Sequence, residues 1–578
     1  MASRMFGPCL ILWDFAFEPW WATSLSTHSV RHDRDLGGGI YVTEFSARTR
    51  VANLDRLRDE TFDVLVVGGG IVGAGVARDA ACRGLRTALV ERGDFASGTS
   101  GKTSRLIHGG LRYLRSYRVG LVRQSVRERD LLLKRAPSLV HPLAFVIPAY
   151  RGRRPGALLL RFGLFLYDFL SRGKTVPRRV WLAADATVER EPRLSSDALA
   201  GAGIYYDAWT DDARLVLAVV KDAAEAGACV ANYTEVVELL HDEGGRVVGA
   251  RLRDVIENRT LDARARIAVN ATGVWLDRLR APRGIPTIRA TKGIHIFLPR
   301  TKVGNRHALA LTAPRDGRIV FVLPWNELAL VGTTDTDYGG DADHVVPNAA
   351  DVAYLLDVVN SAFPQARVTT DDVVSAYAGL RPLLRTRRAD ARESDISREH
   401  AIFEDNDGLI SVAGGKLTTH RSMAEDVIDL VSARLERTTA TPTKERPLGP
   451  PTHPLADFTT MGFDEASALR LQARCAPEQV RRHLEAPRAR DRIVDDLAHV
   501  WVEVEVAIHE EMAMTLVDVL VRRLGLFYEA RDQALGVADE VAERMAETLG
   551  WDPSRVERET RLYRERVAEH RKFRENRG

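Results

Sequence analysis

Residues 61–113 read TFDVLVVGGGIVGAGVARDAACRGLRTALVERGDFASGTSGKTSRLIHGGLRY, and the rest of the chain can be placed around them. The stretch opens with an apolar run rich in β-branched residues and turns at three consecutive glycines. Apolar residues then recur with a helical period of about 3.6. A strand, a tight turn and a helix in this order begin a βαβ unit. The stretch therefore predicts a doubly wound α/β domain.

The glycines and a later acidic residue have the spacing of a dinucleotide-binding fingerprint. Gly68 permits the tight turn, Gly70 lets a pyrophosphate approach the backbone, and Gly73 lets the helix pack close to the strand. Phosphate would then lie at the helix N-terminus, against free N–H groups and the positive end of the helix dipole. Glu91 ends a second predicted strand at 87–90 and lies 21 positions after Gly70, where an acid holds ribose hydroxyls. We therefore expect a bound dinucleotide.

The segment after Glu91 is rich in glycine and small hydroxyl residues, which can wrap a long, flat cofactor. Residues 106–114, LIHGGLRYL, reproduce the characteristic segment of the FAD-dependent glycerol-3-phosphate dehydrogenases, and the serine-rich run before them also resembles that family. Lys102 and Thr103 depart from the family pattern, which usually has Arg or Ala and then Ser. The resemblance implies that the dinucleotide is FAD. A nicotinamide-dependent dehydrogenase would need only the βαβ unit.

The resemblance covers about residues 46–430 and implies further contacts with FAD. Val236 is implied to contact the adenine end through its main chain, and residues 270–275, NATGVW, to approach the cofactor a second time. Residues 409–419, LISVAGGKLTT, predict a strand that turns into a helix facing the pyrimidine edge of the flavin. Besides the fingerprint residues, those expected to bind FAD are Thr99, Ser100, Ser104, Leu106, His108, Gly109, Gly110, Val236, Thr272, Gly273, Gly414 and Thr418.

Length and composition indicate a multidomain protein with balanced charge. The chain has 578 residues, of which 45% are hydrophobic, so it can build two or more domains of the usual size of about 100–200 residues. The 82 basic and 79 acidic residues nearly cancel, which excludes wholesale nucleic-acid binding. The four cysteines form no CxxC pair and have no metal-binding spacing. We therefore expect no metal site, no disulfide and a reducing, cytoplasmic compartment.

The predicted domain organisation has three parts. Residues 1–45 lack the cationic start and clean apolar core of a signal peptide, and we expect a disordered extension or a misassigned start codon. Residues 46–446 form a Rossmann-like FAD-binding domain that begins with a helix from Ser46 and carries an inserted antiparallel β substrate domain at about 285–375. Residues 447–578 follow a proline-rich junction and have helical periodicity, which predicts a C-terminal all-α domain.

For two further segments the sequence bears on whether the side chains are exposed or buried. Residues 158–170, LLLRFGLFLYDFL, are apolar on almost every side and have arginines before and after them. They are shorter than the about 20 residues that span a bilayer. They therefore either enter one leaflet beside anionic headgroups or form a buried helix. Glu510 and Glu511 flank no catalytic partner, and we expect them at the surface or in an interface.

A substrate that carries a phosphate dianion needs fixed cations, preferably the planar fork of arginine. Residues 377–383 and 396–400 also resemble segments of the family, and with the two segments above they contain four such cations: Arg112, Arg381, Arg398 and Lys416. We expect Arg381 and Lys416 to stabilise developing alkoxide or reduced-flavin charge. Arg112, Arg398 and Tyr113 are expected to orient the phosphate end. Which cation binds phosphate and which stabilises the transition state is left open.

Oxidation of a secondary alcohol sends a hydride to flavin N5 and releases the hydroxyl proton in or near the same step. A base with a pKa near the operating pH serves best, and the ordinary pKa of histidine is about 6.5. His295 lies in a predicted strand of the inserted domain, on the same face as Phe297. The resemblance places this position against the substrate. His295 is therefore the expected base.

The sequence thus predicts FAD-dependent oxidation of sn-glycerol 3-phosphate to dihydroxyacetone phosphate. A membrane quinone as electron acceptor is implied by the resemblance alone, because no motif marks a quinone site. Two alternatives stay open: an oxidase that reduces oxygen to hydrogen peroxide, and a non-catalytic flavin-binding module that docks to membranes. The expected location is cytoplasmic, and peripheral contact with the inner face of the cytoplasmic membrane and a homodimer are both left open.

Overall fold

The fold is built on two β-sheets. The computed structural model describes residues 44–116, 118–153, 155–171, 175–280, 286–385 and 400–575, without the side chains of Arg112, Arg115 and Ser116. Most of the predicted N-terminal extension, Arg398 and the Arg112 side chain therefore lie outside the described residues. The described residues all belong to one compact unit. The limits given above for the three domains stay predictions.

Strands form the two central layers of the molecule. In chain order they are β1 Thr61–Val67, β2 Thr87–Val90, β3 Leu106–Ile107, β4 Val140–Tyr150, β5 Val180–Leu182, β6 Leu199–Thr210, β7 Cys229–Ala231, β8 Thr234–His241, β9 Val247–Asp254, β10 Arg259–Asn270, β11 Ile288–Pro299, β12 Ala308–Thr312, β13 Ile319–Trp325, β14 Leu328–Gly332, β15 Thr336–Asp337, β16 Ser375–Leu384, β17 His400–Glu404 and β18 Ile410–Gly414.

Helices cover the sheets and make up most of the C-terminal part. In chain order they are α1 Ala47–Asp59, α2 Ile71–Cys82, α3 Val119–Arg135, α4 Ala157–Leu170, α5 Ala184–Arg190, α6 Asp212–Glu225, α7 Leu276–Leu279, α8 Arg300–Val303, α9 Ala349–Ala362, α10 His420–Arg434, α11 Ala456–Thr459, α12 Glu465–Gln472, α13 Pro477–Arg482, α14 Val502–Glu510, α15 Leu526–Glu529, α16 Ala538–Leu549 and α17 Pro553–Arg571.

The first sheet contains the strand, turn and helix that residues 61–113 predict. Its strand order is β17-β18-β10-β1-β2-β7, and β1 runs parallel to both β2 and β10. β9 pairs with β10 and β8 in the antiparallel direction. Every residue of β1 after Thr61 is buried, as a central parallel strand requires. The carboxyl ends of β1, β2 and β10 therefore meet at one edge, where the glycine turn, Glu91 and Thr272 follow.

The second sheet is mostly antiparallel and carries the predicted base. Its order is β15-β11-β14-β13-β12-β4-β6-β3, with β16 beside β11 and β5 beside β6. Strands of the predicted insertion thus share a sheet with β3 to β6, which come earlier in the chain. β11 lies between β14 and β16, and this register sets His295 opposite Gly332 on one side and Tyr377 on the other.

Helices hold the first sheet between them. The helix predicted from Ser46 is confirmed as α1, and the Ser46 hydroxyl caps it by accepting from the N–H of Arg48 at 3.1 Å. Helix α2 packs between α6 and α10. It can do so because its inward positions are alanine, glycine and valine, which are buried. The dinucleotide turn therefore leads into a helix enclosed by its neighbours.

The C-terminal part is helical, as predicted, but its helices are shorter than the periodicity indicates. A π-helix at Asp518–Arg523 interrupts the run between α14 and α15. Glu510 and Glu511 are only 8% and 3% exposed, so a surface position is wrong for both. Glu511 pairs with Arg214 of α6 at 2.5 Å, which agrees with the interface alternative. Such pairing offsets the cost of burying the carboxylates.

Candidate active site

The glycine turn after β1 is built for close approach of backbones. Gly68 has a φ of +110°, and a Cβ there would lie 2.7 Å from the carbonyl oxygen of Ala271. A Cβ at Gly73 would collide with the carbonyl oxygen of Gly68. Gly70 is the N-cap of α2 and brings no side chain to the helix end. The N-terminus of α2 thus presents N–H groups and a positive dipole end to an anion.

Ser100 and Glu91 lie beside this turn. The Ser100 hydroxyl accepts from the N–H of Ile71 at 3.0 Å, where the fingerprint predicts a pyrophosphate. The Glu91 carboxylate accepts from the N–H groups of Gly69 at 2.6 Å and Gly93 at 2.8 Å. Burial raises the pKa of Glu91, and these two hydrogen bonds oppose the rise. Hydroxyl and carboxylate are therefore fixed by backbone donors at the two ends of the predicted phosphate and ribose site.

Two later segments close on the same turn. The Cα of Thr272 would lie 3.2 Å from a Cβ at Gly68, whereas a Cβ at Gly273 would meet no atom within 4 Å. The N–H of Thr234 donates to the Glu91 carbonyl at 2.7 Å, which brings the half-buried Val236 of β8 toward the same edge. A ligand could therefore approach the backbone at Gly273.

The cradle also contains an unused donor. The indole Nε1 of Trp275 is buried and has no hydrogen-bond partner among the described residues. Its ring lies 3.1 Å from the position of a Cβ at Gly98. A buried N–H without an acceptor is costly, and an acceptor on a bound ligand would remove that cost. Together with the glycine turn and Glu91, this side chain fits a dinucleotide such as FAD.

The two family-like segments at 106–114 and 409–419 meet in space. The N–H of His108 donates to the hydroxyl of Thr418 at 3.1 Å. The Lys416 ammonium lies 4.0 Å from the centroid of the Tyr113 ring and donates to the Ser125 hydroxyl at 3.1 Å. A cation–π contact and a hydrogen bond therefore fix the Lys416 charge beside the second glycine-rich turn.

Other residues that are predicted to bind FAD lie in turns or contact other parts of the protein. The Thr99 hydroxyl donates to the Leu380 carbonyl at 2.7 Å. Leu106 lies in β3, which pairs with β6. Gly110 and Gly414 both have positive φ values, of +76° each, at the ends of their turns. A short 3₁₀-helix follows Lys416 and leads into α10, so the predicted strand, turn and helix of residues 409–419 are confirmed.

Buried charged and polar side chains pack against residues 108–110, which we call the HGG turn. The N–H of Gly109 donates to the Asp207 carboxylate at 3.2 Å. Asp207 also accepts from the Tyr167 hydroxyl at 2.6 Å and from Arg129 at 2.7 Å. Burial raises the pKa of Asp207, and the Arg129 charge opposes this rise. The turn is therefore held by side chains of α3, α4 and β6, none of which the sequence pattern connects with it.

His295 lies on β11 in a closely packed pocket. Its Nε2 is 2.8 Å from the Ser104 hydroxyl, and its Nδ1 is buried without a hydrogen-bond partner among the described residues. The Tyr377 ring stacks on the imidazole, with centroids 4.8 Å apart and planes inclined by 15°. A Cβ at Gly332 would collide with the imidazole, so only glycine fits at the opposite position. The ring therefore has one orientation.

The surroundings of His295 favour the neutral form of its imidazole. Its residue is 3% exposed, and burial followed by the positive charges of Arg381 and Arg105 holds its pKa well below the ordinary value. Without a ligand, His295 is therefore not a base with the ordinary pKa of about 6.5. A phosphate dianion near Arg381 would offset the positive field and raise the pKa of the imidazole again.

Arg381 lies on the same face as His295, on the paired strand β16. Its guanidinium donates to the Asp335 carboxylate at 3.0 Å, to the Thr333 hydroxyl at 2.9 Å and to the Thr334 carbonyl at 3.0 Å. A Cβ at Gly293 would collide with the guanidinium. Glycine on β11 therefore leaves the space in which this cation stands beside the base.

Several residues of this pocket carry no role in the sequence analysis. Tyr377 is four positions before Arg381 on one strand, so the two share a face, and this period could have pointed to it. Arg105 follows Ser104 directly. Asp335 and Ser125 have no local signal, because only the tertiary fold brings them to Arg381 and Lys416. The roles predicted for His295, Arg381, Lys416 and Tyr113 stay predictions, as do those of Arg112 and Arg398.

Known proteins share the fold and the motifs of this site. Residues 63–430 match the family model of the FAD dependent oxidoreductases. Residues 473–556 match the model of the C-terminal domain of alpha-glycerophosphate oxidase. The two matches cover the dinucleotide-binding sheet, the second sheet and most of the C-terminal helices.

Similar proteins are found among curated sequences and solved structures. The glycerol-3-phosphate dehydrogenase of Mycobacterium leprae (strain TN) is 38% identical over 541 residues, which cover 90% of this chain and 90% of the relative. The aerobic glycerol-3-phosphate dehydrogenase of Bacillus subtilis (strain 168) is 36% identical over 88% of this chain and 95% of its own. The solved glycerol-3-phosphate dehydrogenase from Bacillus halodurans complexed with FAD is 30% identical, with a TM-score of 0.76 over 91% of this chain and 98% of its own.

Proposed function

The chain belongs to the family of FAD-dependent glycerol-3-phosphate dehydrogenases, and from this premise we propose that it oxidises sn-glycerol 3-phosphate to dihydroxyacetone phosphate and passes the electrons to a membrane quinone. One observation supports the proposal most strongly. An oriented imidazole, His295, whose neutral form is favoured by burial, lies on the same face of the second sheet as the cation Arg381, in the pocket whose Ser104 belongs to the family-like segment.

FAD supplies the acceptor for the hydride that leaves the carbinol carbon. His295 accepts the hydroxyl proton, because a neutral imidazole is competent as a general base. Arg381, held in place by Asp335, stabilises the negative charge that develops on the substrate oxygen. Lys416, fixed by Tyr113 and Ser125, stabilises negative charge at the reduced flavin. A fixed cation costs no reorganisation when the charge develops, which favours the transition state.

The phosphate end of the substrate needs further cations. We propose that Arg112, Tyr113 and Arg398 orient it. The Tyr113 ring lies against Lys416, so a phosphate held there would meet a fixed positive charge. A dianion also explains why the pocket tolerates several cations close together, since it compensates them once bound.

The acceptor separates this proposal from an oxidase. The match of the C-terminal part to a domain of alpha-glycerophosphate oxidase is the observation that favours oxygen. After anaerobic reduction by glycerol 3-phosphate, the protein is mixed with either a soluble quinone or oxygenated buffer, and flavin absorbance is followed by stopped flow. We expect fast recovery with quinone and slow recovery with oxygen. The reverse order, with stoichiometric hydrogen peroxide, would establish the oxidase.

A non-catalytic flavin-binding module is the other alternative. Such a module has no need of a base beside a fixed cation. Flavin that stays oxidised in the presence of glycerol 3-phosphate, although the protein binds it stoichiometrically, would support this alternative. The same result would contradict the proposed reaction.

Contact with a membrane is supported by the shape of α4. Its buried face is formed by Leu160, Leu164 and Tyr167. The opposite face consists of large apolar side chains that are about half exposed or more: Leu158 81%, Leu159 63%, Phe162 62%, Phe165 51% and Phe169 49%. The helix is thus buried on one face, and the exposed apolar face is the observation that supports our proposal of contact with a leaflet.

Cations surround the exposed face of α4. Arg161 lies 5.3 Å from the centroid of the Trp181 ring, and Arg179 lies 5.3 Å from that of Phe165. Arg151, Arg153 and Arg178 are exposed nearby in the sequence. An apolar helix face bordered by arginines is the composition of helices that lie in the interface of an anionic leaflet.

The proposed occupant of this face is therefore one leaflet of an anionic bilayer. The 14 residues of α4 extend about 21 Å, less than the hydrocarbon thickness of about 30 Å. Within the part of the chain that the structure describes, no helix has the length and apolarity needed to cross a membrane. Docking of α4 would bring the protein to the phase in which a lipid quinone is dissolved. If the protein instead forms a dimer through the exposed face of α4, a second copy of the chain covers that face.

A further inference from the structure

His295 is closed to direct contact on almost every side. The residue is 3% exposed, Tyr377 covers one ring face, and Gly332 lies against the ring. Of its two nitrogens, Nδ1 is buried without a partner among the described residues, and Nε2 is 2.8 Å from the Ser104 hydroxyl. Ser104 itself is only half-buried. Of the three neighbours named here, Ser104 is therefore the one that is partly accessible, whereas Tyr377 and Gly332 are buried.

Thr103, the residue before Ser104, is held by hydrogen bonds to Asp212 and Tyr377. The N–H and the hydroxyl of Thr103 both donate to the Asp212 carboxylate at 2.8 Å. The Tyr377 hydroxyl donates to the Thr103 carbonyl at 2.7 Å. The same tyrosine thus packs on the His295 ring and anchors the residue next to Ser104. This arrangement fixes the distance between hydroxyl and imidazole before any ligand binds.

We propose that Ser104 is a further catalytic residue, which relays the hydroxyl proton of the substrate to His295. This proposal rests on the function proposed above. The substrate O–H bond breaks as a bond to Ser104 Oγ forms, and the Ser104 O–H bond breaks as a bond to His295 Nε2 forms. The hydride leaves the carbinol carbon with its electron pair to FAD. The products are the ketone, protonated His295 and an unchanged Ser104.

The relay accounts for the anchored position of Ser104 and requires one tautomer of His295. A substrate hydroxyl that reached Nε2 directly would have to displace Ser104, which its backbone anchors oppose. The relay requires the tautomer in which Nε2 accepts from the Ser104 hydroxyl, so that the buried Nδ1 carries the hydrogen. The prediction above that Ser104 contacts FAD stays a prediction, beside the observed 2.8 Å contact between its hydroxyl and the imidazole.

The test compares anaerobic flavin reduction by glycerol 3-phosphate in the wild type, Ser104→Ala and Ser104→Thr. For Ser104→Ala we expect the limiting rate constant to fall about 100-fold or more, the usual scale of lost general acid–base assistance. The substrate Kd should stay within about threefold, and FAD content should be unchanged. Ser104→Thr keeps the hydroxyl and should recover at least a tenth of the wild-type rate. Ser138→Ala, which removes a 2.7 Å bond from a buried serine to Pro450, is the matched control and should behave as wild type.

A second readout does not depend on turnover. The ring nitrogens of His295, followed by ¹⁵N NMR in selectively labelled protein, should show an unprotonated Nε2 in the wild type. A protonated Nε2, a Ser104→Ala rate within about threefold of wild type, a Ser104→Thr as slow as Ser104→Ala, or loss of FAD from Ser104→Ala would each overturn the relay. A wild-type flavin that glycerol 3-phosphate does not reduce would overturn the proposed function instead.

Discussion

Removing two phenylalanines from the exposed face of α4 should weaken binding to anionic vesicles by a predictable amount. The five large side chains of this face together amount to about three fully exposed ones. Burying one such side chain is worth roughly 1.5–3 kcal/mol, so the whole face is worth about 5–9 kcal/mol. Phe162 and Phe165 together amount to about one fully exposed side chain. Phe162→Ala with Phe165→Ala should therefore cost about 1.5–3 kcal/mol, or roughly a 10- to 150-fold loss of affinity.

The assay is flotation with liposomes that contain a third of an anionic phospholipid, at several lipid concentrations. Leu562→Ala is the matched control, because Leu562 is 44% exposed on α17, far from α4 in the sequence. The control should float as the wild type does, whereas the double variant should need at least tenfold more lipid. Binding should also fall when salt is raised, since exposed arginines contribute. Equal flotation of all three proteins would refute membrane docking through α4, and a change in oligomeric state of the double variant alone would point to a dimer face.

Three further outcomes are expected. Arg381→Ala should lower the rate of flavin reduction about 100- to 1,000-fold with FAD still bound, whereas near-normal kcat/KM would remove this cation from the mechanism. Gly73→Ala should release FAD on gel filtration, because its Cβ meets the Gly68 carbonyl, whereas Gly120→Ala, with open space around it, should keep the cofactor. Burial is the main cause that lowers the pKa of His420 to about 4. Below about pH 6.5 the unfolded chain therefore binds one proton more than the folded protein, and the free energy of unfolding decreases as the pH is lowered. Between pH 7 and 4.5, urea unfolding should show a loss of stability that is roughly 2–3 kcal/mol larger in the wild type than in His420→Gln, because the other buried histidines contribute equally to both; equal losses in the two proteins would contradict this source.

Local patterns were sufficient to predict the dinucleotide edge of the protein. The run from Thr61 to Gly73 contains a strand, a turn that requires glycine and a helix that begins there, all within a short span of chain. Glu91 comes directly after the second strand, so a local pattern was sufficient to predict it as well. In the structure its carboxylate accepts from the N–H of Gly69 in the turn. The strand and turn at Gly414 were equally predictable, since β-branched residues and paired glycines have strong local preferences.

Contacts between distant parts of the chain could not be predicted from those patterns. Ser104 and His295 are 191 positions apart, and nothing in either segment indicates that hydroxyl and imidazole meet. The Asp207 carboxylate behind the HGG turn comes from a strand of the second sheet. Periodicity also left α4 ambiguous, because a helix that is apolar on almost every side reveals its exposed face only when its neighbours are in place.

The measurement that tests the central claim most directly is anaerobic titration of the purified protein with glycerol 3-phosphate. We predict that flavin absorbance bleaches fully, with one dihydroxyacetone phosphate formed for each flavin reduced, while glycerol without phosphate leaves the spectrum unchanged. Stoichiometrically bound flavin that glycerol 3-phosphate does not bleach, or that glycerol bleaches equally well, would contradict the account.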